Sequence, residues 1–157
     1  MQSLRRSPLQ LDVASVSPPY VIAIDGDHGA GKTKLAKELS RLVPCTTIHV
    51  DDYCEGHSKP YLELVHWERL SQALRGCQSS ILILESVLLD YILEKVEIIP
   101  TYRIFMKRIE YGQWPYSHYI QPKAKLPNSQ LDREVSQYYR IRRPWEKANE
   151  EVSFNAV

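Results

Sequence analysis

Short runs of apolar, β-branched or aromatic residues alternate along the chain with stretches of helical spacing. Such runs are typical of buried strands, and they predict strands at residues 21–24, 46–50, 81–84, 102–106 and 151–154. Apolar residues three or four positions apart mark one face of a helix. This spacing predicts helices at residues 32–42, 62–74 and 131–139, and it leaves a short helix open at residues 88–97. The alternation predicts one three-layer α/β domain with a mostly parallel sheet.

Two segments lack a regular pattern. Residues 1–19 are rich in Ser, Pro and Gln and end in two prolines, which predicts a flexible N-terminal arm. From residue 107 the chain becomes basic and aromatic, and it then continues as a proline-rich loop to about residue 127. The expected organisation is therefore an arm over residues 1–19 and a single domain over residues 20–157.

The composition limits the class of protein. With 157 residues and a net charge of +1, the chain is long enough for one domain, and its overall charge does not favour nucleic acid or membrane. The apolar runs, such as residues 81–84, are too short for a membrane span. A signal peptide requires an apolar stretch after its basic residues, and none follows Arg5 and Arg6. Three cysteines without a paired pattern fit a reducing compartment, so a cytoplasmic location is expected.

A glycine-rich motif connects the first predicted strand to the first helix. Residues 26–33 read GDHGAGKT and fit the pattern G-x-x-x-x-G-K-[ST] in full. The glycines let successive backbone N–H groups face one hollow at the positive end of the helix, where a polyphosphate binds. Lys32 is expected on the outer phosphates of ATP or another nucleoside triphosphate, and the Thr33 hydroxyl on Mg²⁺. The predicted nucleotide-binding residues are Gly26, Asp27, His28, Gly29, Ala30, Gly31, Lys32, Thr33 and Lys34.

Carboxylates follow the second and third predicted strands. Asp51, Asp52 and Tyr53 come after the second strand, and Glu85 and Ser86 come after the third. Ligands of an open α/β sheet bind beyond the carboxyl ends of its strands, so these side chains are expected to face the phosphate-binding loop. A carboxylate in the position of Glu85 commonly holds Mg²⁺ in P-loop enzymes, and a solvated strand end is the alternative. Considered alone, Asp51 and Asp52 fit an exposed turn better than a site.

The order of these motifs resembles the uridine kinase-like family, and within it the nicotinamide riboside kinases. The resemblance is carried by GDHGAGKT at 26–33, DDYC at 51–54 and ILILES at 81–86. It covers about residues 21–89. It implies a P-loop NTPase fold of the nucleoside kinase type. It also implies transfer of the γ-phosphate of ATP to a hydroxyl of a nucleoside-like acceptor.

The resemblance further implies a role for each matching residue. Asp51 matches the catalytic base on the acceptor hydroxyl, a role that suits a carboxylate near the γ-phosphate. Thr33 and Glu85 match positions associated with Mg²⁺, and Lys32 would neutralise charge on the transferred group. The residues expected at the acceptor are Asp51, Asp52 and Tyr53, and residues 53–68 are expected to form the wall of that site.

The sequence departs from the family pattern in two respects. Ser86 stands where the family usually has glycine. The chain is short for the family, which predicts a reduced lid around residues 103–127, with Arg108 as the lid arginine because Arg103 lies in a predicted strand. The base-binding loop is expected around residues 148–155.

Two other signals compete with the kinase interpretation. Cys54 and His57 have the spacing of metal ligands, but no second pair completes a zinc site. Residues 101–147 hold ten Lys/Arg against four Asp/Glu, interleaved with aromatic residues. Such a segment fits a lid with a solvated basic helix, or a surface for single-stranded nucleic acid.

Three functions therefore stay open. The first is the small-molecule kinase. The second is a nucleotide-binding P-loop protein with weakened transfer that serves as a sensor or partner module, and the third is a nucleic-acid end kinase. The acceptor, the choice between ATP and GTP, and the oligomeric state also stay open.

Overall fold

A computed structural model of the chain describes residues 6–156. These residues form a five-stranded sheet, α-helices and two 3₁₀ segments. The strands are β1 (Tyr20–Gly26), β2 (Thr46–His49), β3 (Ile81–Glu85), β4 (Tyr102–Glu110) and β5 (Glu150–Ala156). The helices are α1 (Lys32–Ser40), α2 (Tyr61–Leu64), α3 (Trp67–Arg75), α4 (Leu89–Val96), α5 (Tyr116–Tyr119), α6 (Gln130–Arg142) and α7 (Pro144–Lys147). The 3₁₀ segments are Val13–Ser15 and Val50–Tyr53.

The sheet is parallel throughout, in the strand order β2-β3-β1-β4-β5. The central strand, β1, lies between β3 and β4, and all five residues of β3 are buried. Runs buried on both faces are what a parallel sheet between two helical layers requires. Because the strands are parallel, the chain leaves β1, β2 and β3 at the same edge, and Ile24 and His49 both pair with Glu85 there.

The two faces of the sheet carry separate hydrophobic clusters. One cluster packs α1 and an N-terminal segment against Ile22, Ile24 and Ile104. The other packs residues of α2, α3, α4 and α6 against the opposite face of the same strands. The domain is therefore three-layered, as the alternation of strands and helices predicts.

Residues 6–19 differ from the predicted flexible arm. Val13 is only 3% exposed and belongs to the cluster that contains α1. The backbone N–H groups of Gln10 and Leu11 donate to the Glu150 carboxylate at 2.9 and 3.1 Å. The segment is fixed by a partner about 140 positions away, which local composition cannot reveal. Residues 1–5 of the predicted arm lie outside the described residues.

The structure breaks the helix predicted over residues 62–74 into α2 and α3. Val65 is extended and bridges Cys54, and the N–H of His66 donates to the Tyr53 carbonyl at 2.6 Å. These bonds to an earlier loop outweigh the helical spacing of the apolar residues.

The C-terminal half is more regular than predicted. β4 continues to Glu110 because β5 pairs with it from Ile104 onward, so residues 107–110 extend the strand predicted at residues 102–106. Residues 150–156 form β5, and the predicted base-binding loop around residues 148–155 is therefore mostly strand. Residues 89–96, left open by the sequence, form α4. Among residues 6–156, no helix combines the length and apolar character that crossing a membrane requires.

Candidate active site

The phosphate-binding loop joins β1 to α1 and depends on glycine at two points. Gly26 has φ +144°, and a Cβ there would lie 2.1 Å from the Met106 carbonyl oxygen. The loop thus lies directly against β4, and the N–H of Asp27 donates to the same carbonyl at 3.0 Å. Gly31 has φ +89° at the start of α1, in the left-handed region that favours glycine. Sequence and structure therefore agree on a loop that opens onto a helix N-terminus.

Lys32 lies under this loop and is only 7% exposed. Its Nζ donates to the carbonyls of Gly26 and Asp27 at 3.2 and 2.6 Å. Burial lowers the pKa of Lys32, and the nearby carboxylates, Glu85 foremost, oppose that change. An ammonium group has three donors. The third can reach an anionic ligand in the cleft that Lys32 lines.

Thr33, Glu85 and His49 meet at the carboxyl edge of the sheet. The Thr33 hydroxyl donates to Glu85 Oε1 at 3.0 Å, and His49 Nδ1 lies 2.7 Å from the same oxygen. A hydroxyl and a carboxylate are the hard oxygen donors that Mg²⁺ prefers, so the pair predicted for this ion fits it. The contact of His49 with Glu85 was not predicted from the sequence.

Asp51 lies on the 3₁₀ turn that follows β2 rather than at the strand end itself. The Tyr61 hydroxyl donates to Asp51 Oδ1 at 2.5 Å and lies 3.1 Å from Ser86 Oγ. Ser86 is buried directly after Glu85. The carboxylate predicted as the base is therefore tied to α2 and to the end of β3.

These side chains surround one cleft of about 990 Å³. The cleft brings together Lys32, Thr33, Asp51 and Glu85, which the sequence spreads over three strand ends. Its lining consists of His28, Gly29, Gly31, Lys32, Thr33, Lys34, Lys37, Asp51, Cys54, His57, Tyr61, Glu85, Val87 and Leu131. Within the described residues, six predicted site residues are not part of that lining: Gly26, Asp27, Ala30, Asp52, Tyr53 and Arg108.

The Asp27 side chain is only 1% exposed and is engaged beneath the loop rather than in the cleft. Its carboxylate accepts from the Tyr139 hydroxyl at 2.6 Å, the Trp114 indole N–H at 2.8 Å and the Arg108 backbone N–H at 2.7 Å. Burial raises the pKa of Asp27, and these donors, Tyr139 first, oppose the rise. Asp27 therefore anchors the loop to α6 and β4.

Arg108 lies in β4 and not on a separate lid. Its Nε forms an ion pair with Glu110 Oε1 at 2.9 Å. The geometry of this pair is not that of a hydrogen bond, and the buried nitrogen has no hydrogen-bond partner within residues 6–156. Its guanidinium packs against Gly29, where a Cβ would lie 2.6 Å from one of its nitrogens. Within the described residues, no side chain of residues 103–127 lines the cleft.

Most of the basic residues in the segment 101–147 are engaged within the domain. Arg140 donates to the carbonyls of Tyr119 and Ala124. Three cations converge on the carboxylate of Asp90. Six of the ten cations form ion pairs: Arg103, Lys107, Arg108, Arg142, Arg143 and Lys147. Their arrangement is that of a packed domain surface more than of a free basic surface.

Solved structures of several kinases share this architecture. A possible uridine kinase from Bacillus stearothermophilus superposes with a TM-score of 0.56 at 15% identity, over 87% of this chain and 89% of that one. Shikimate kinase from Acinetobacter baumannii, in complex with shikimate, gives 0.52 at 16% identity, over 88% and 85%. Thymidylate kinase from Candida albicans gives 0.50 at 14% identity, over 87% and 84%. No protein-family model and no curated protein sequence matches the chain.

The fold is that of the P-loop kinases. The predicted fold class, a three-layer α/β P-loop NTPase fold, is confirmed. The resemblance to uridine kinase-like proteins is confirmed at the level of the fold alone, since all three identities are below 20%. The closer resemblance to nicotinamide riboside kinases stays a prediction.

Proposed function

We propose that the protein is an ATP-dependent kinase that transfers the γ-phosphoryl group to a hydroxyl of a nucleoside-like small molecule. The observation that carries the proposal is the shared cleft. There the carboxylate of Asp51 lies with Lys32, Thr33 and Glu85 of the phosphate-binding edge. Binding of a nucleoside triphosphate with Mg²⁺ accounts for Lys32, Thr33 and Glu85, and the nearby carboxylate of Asp51 adds the group that a hydroxyl acceptor needs.

The proposed transfer assigns a task to each of these residues. Asp51 orients the acceptor hydroxyl and takes its proton during the transfer. The acceptor oxygen forms a bond to the γ-phosphorus, and the bond from that phosphorus to the β-γ bridging oxygen breaks, which leaves ADP. Lys32 stabilises the negative charge on the transferred group from beneath the loop. Thr33 and Glu85 would hold Mg²⁺, which supplies further charge neutralisation when bound.

The acceptor class rests on the resemblance of residues 51–54 and 81–86 to the uridine kinase-like pattern. Uridine and nicotinamide riboside are therefore the first acceptors to test. A cytoplasmic location belongs to the same proposal, and the three free cysteines of the described residues agree with it.

A panel of acceptors tests the reaction. Release of ADP from Mg·ATP and from Mg·GTP is measured with uridine, cytidine, nicotinamide riboside, shikimate and a 5′-hydroxyl oligonucleotide. The proposal expects turnover with at least one nucleoside, and the phosphorylated product is identified by mass spectrometry. Turnover with the oligonucleotide alone would show an end kinase instead.

Two variants test the assigned residues. Lys32→Ala should weaken nucleotide binding and transfer together. Asp51→Asn should keep ATP binding and lower transfer by about 10²-fold or more, the usual contribution of a positioned base. Glu97→Gln, which neutralises an exposed carboxylate at the end of α4 outside the cleft, is the control and should keep wild-type turnover. Normal turnover by Asp51→Asn would show that Asp51 is not the catalytic base.

A second candidate is a nucleotide-binding protein with weak or no transfer. It is favoured by one observation: within the described residues, no side chain of residues 103–127 lines the cleft. Measurable ATP binding by calorimetry, without ADP release with any acceptor of the panel, would support this sensor-like function.

A further inference from the structure

Tyr61 links three elements at the edge of the cleft. It is the first residue of α2, lines the cleft and is only 8% exposed. Its backbone N–H donates to Glu134 Oε1 of α6 at 2.7 Å, while its hydroxyl contacts both Asp51 and Ser86. Tyr61 is therefore fixed at its backbone by Glu134 of α6 and at its hydroxyl by Asp51 and Ser86.

The direction of the hydrogen bonds follows from proton counting. A phenol has one proton, and an ionised carboxylate only accepts, so the Tyr61 proton goes to Asp51 Oδ1. The contact of 3.1 Å with Ser86 then requires the serine hydroxyl to donate to the Tyr61 oxygen. Burial, followed by the charge of Asp51, raises the pKa of Tyr61, so the phenol stays a donor at neutral pH.

Asp51 needs such a partner because of where it lies. It is an exposed residue on a short 3₁₀ turn, where packing does not select one rotamer. A base must stay within hydrogen-bond reach of the proton that it accepts. A bond from a buried phenol to Oδ1 fixes the carboxylate and leaves Oδ2 for the acceptor.

We propose that Tyr61 is a positioning residue, which with Ser86 as its donor holds the carboxylate of Asp51 in one orientation toward the acceptor hydroxyl. The inference rests on the proposed role of Asp51 as base. It also explains Ser86, the residue that departs from the glycine of the uridine kinase-like pattern. A glycine at that position has no hydroxyl and would leave the Tyr61 oxygen without this donor.

The first test is structural and needs no acceptor. Crystal structures of the wild-type protein and of Tyr61→Phe are compared at high resolution, since phenylalanine keeps the ring and removes only the hydroxyl. The expected result is one Asp51 rotamer in the wild type and two or more rotamers, or a rotated carboxylate, in the variant. An unchanged single rotamer in Tyr61→Phe overturns the proposal, even if the panel of acceptors finds no substrate.

The second test is a double-mutant cycle with the acceptor that the panel identifies. Tyr61→Phe should lower kcat on the order of 10-fold, the effect of losing a hydrogen bond to a charged group, and leave the KM for ATP unchanged. In an Asp51→Asn background the same change should cost little further, because Tyr61 acts through Asp51. An equal loss of kcat in both backgrounds contradicts the positioning role.

Two further variants separate positioning from stability. Ser86→Ala should lower kcat less than Tyr61→Phe does, and it should add nothing in the Tyr61→Phe background. Tyr102→Phe removes another bond from a tyrosine to a carboxylate, 3.0 Å from Glu150 and away from the cleft, and should keep wild-type kcat. If Asp51→Asn turns over normally the base assignment fails, whereas a loss with Asp51→Asn but not with Tyr61→Phe overturns only the present inference.

Discussion

At the scale of residues, two buried carboxylates support the phosphate-binding loop from below. Asp25 Oδ1 accepts from the Gly26 N–H at 2.8 Å, and its Oδ2 accepts from the Tyr138 hydroxyl. Burial raises the pKa of Asp25 to about 6, against the lowering effects of Tyr138 and of the backbone donor. Tyr138 bonds to Asp25, and its neighbour Tyr139 bonds to Asp27. Two adjacent residues of α6 therefore hold the carboxylates on either side of Gly26.

The raised pKa of Asp25 predicts a pH-dependent stability. The pKa of Asp25 is about 6 in the folded protein, against 3.8 for an ordinary aspartate side chain. Between these values the folded state binds more protons, so the free energy of unfolding falls as pH rises from 4 to 7. The shift corresponds to at most about 3 kcal/mol. Urea unfolding between pH 4 and 7 measures it.

Two variants check that Asp25 is the source of this dependence. Asp25→Asn should flatten the decline with pH. Tyr138→Phe removes a hydrogen bond that lowers the pKa of Asp25. In this variant the free energy of unfolding should therefore continue to fall up to a higher pH than in the wild type. The assignment is wrong if Asp25→Asn keeps the wild-type pH dependence.

Residues of the site differ in how far the sequence reveals them. Lys32, Thr33 and Glu85 could be predicted because a strand, a motif and a second strand fix their places at one sheet edge. Tyr138 meets Asp25 across 113 positions, and Tyr61 meets Asp51 because the chain after the 3₁₀ turn folds back toward that turn. Such contacts depend on how helices pack, and no local pattern carries that information.

At the scale of elements, burial decides which predictions hold. The apolar run of β3 could be recognised because it is buried on both faces. The length of β4 could not, because its polar end at residues 107–110 is strand only through pairing with β5. The break between α2 and α3 likewise depends on the bridge from Val65 to Cys54.

The contact of the phosphate-binding loop with β4 predicts unequal effects of two glycine substitutions. Gly26→Ala forces a Cβ to within 2.1 Å of backbone in β4, which cannot yield without moving a strand. We expect a loss of more than about 3 kcal/mol in the free energy of unfolding, above the usual range for point mutants. Chemical denaturation measures this loss, and a variant that is soluble but already unfolded would also agree with the prediction.

Gly112→Ala is the matched control for this prediction. Gly112 also has a positive φ, +75°, but a Cβ there meets nothing within 4 Å. Its cost should therefore be only that of the backbone conformation, about 1 kcal/mol. Equal losses in the two variants would show that the approach to β4 is unimportant.

At the scale of the whole molecule, the placement of charge bears on which partner the domain can bind. The net charge is +1, and six of the ten cations in the segment 101–147 are in ion pairs. Asp90 and Glu151, which pair with four of these cations, lie outside that segment. Acidic residues from elsewhere in the fold therefore neutralise part of the basic composition of this segment.

This balance predicts weak binding to single-stranded nucleic acid. Affinity for a phosphate backbone comes from cations that release counterions, and a cation held by a carboxylate contributes less. We expect a Kd above about 10⁻⁴ M for a 5′-hydroxyl oligonucleotide at physiological salt, the weak end of non-specific binding. Fluorescence anisotropy at several salt concentrations measures both the affinity and its salt dependence.

A pair of charge-matched variants separates ion pairing from net charge. Glu146→Gln releases Arg143, whose Nε lies 2.6 Å from Glu146 on an exposed surface, whereas Glu63→Gln removes the same charge from a carboxylate with no ion pair among residues 6–156. If pairing limits binding, Glu146→Gln should strengthen it more than Glu63→Gln and steepen its salt dependence. Micromolar binding by the wild type, with a steep salt slope that Mg·ATP reduces by competition, would instead favour the nucleic-acid end kinase, because the oligonucleotide would then share the cleft with the nucleotide.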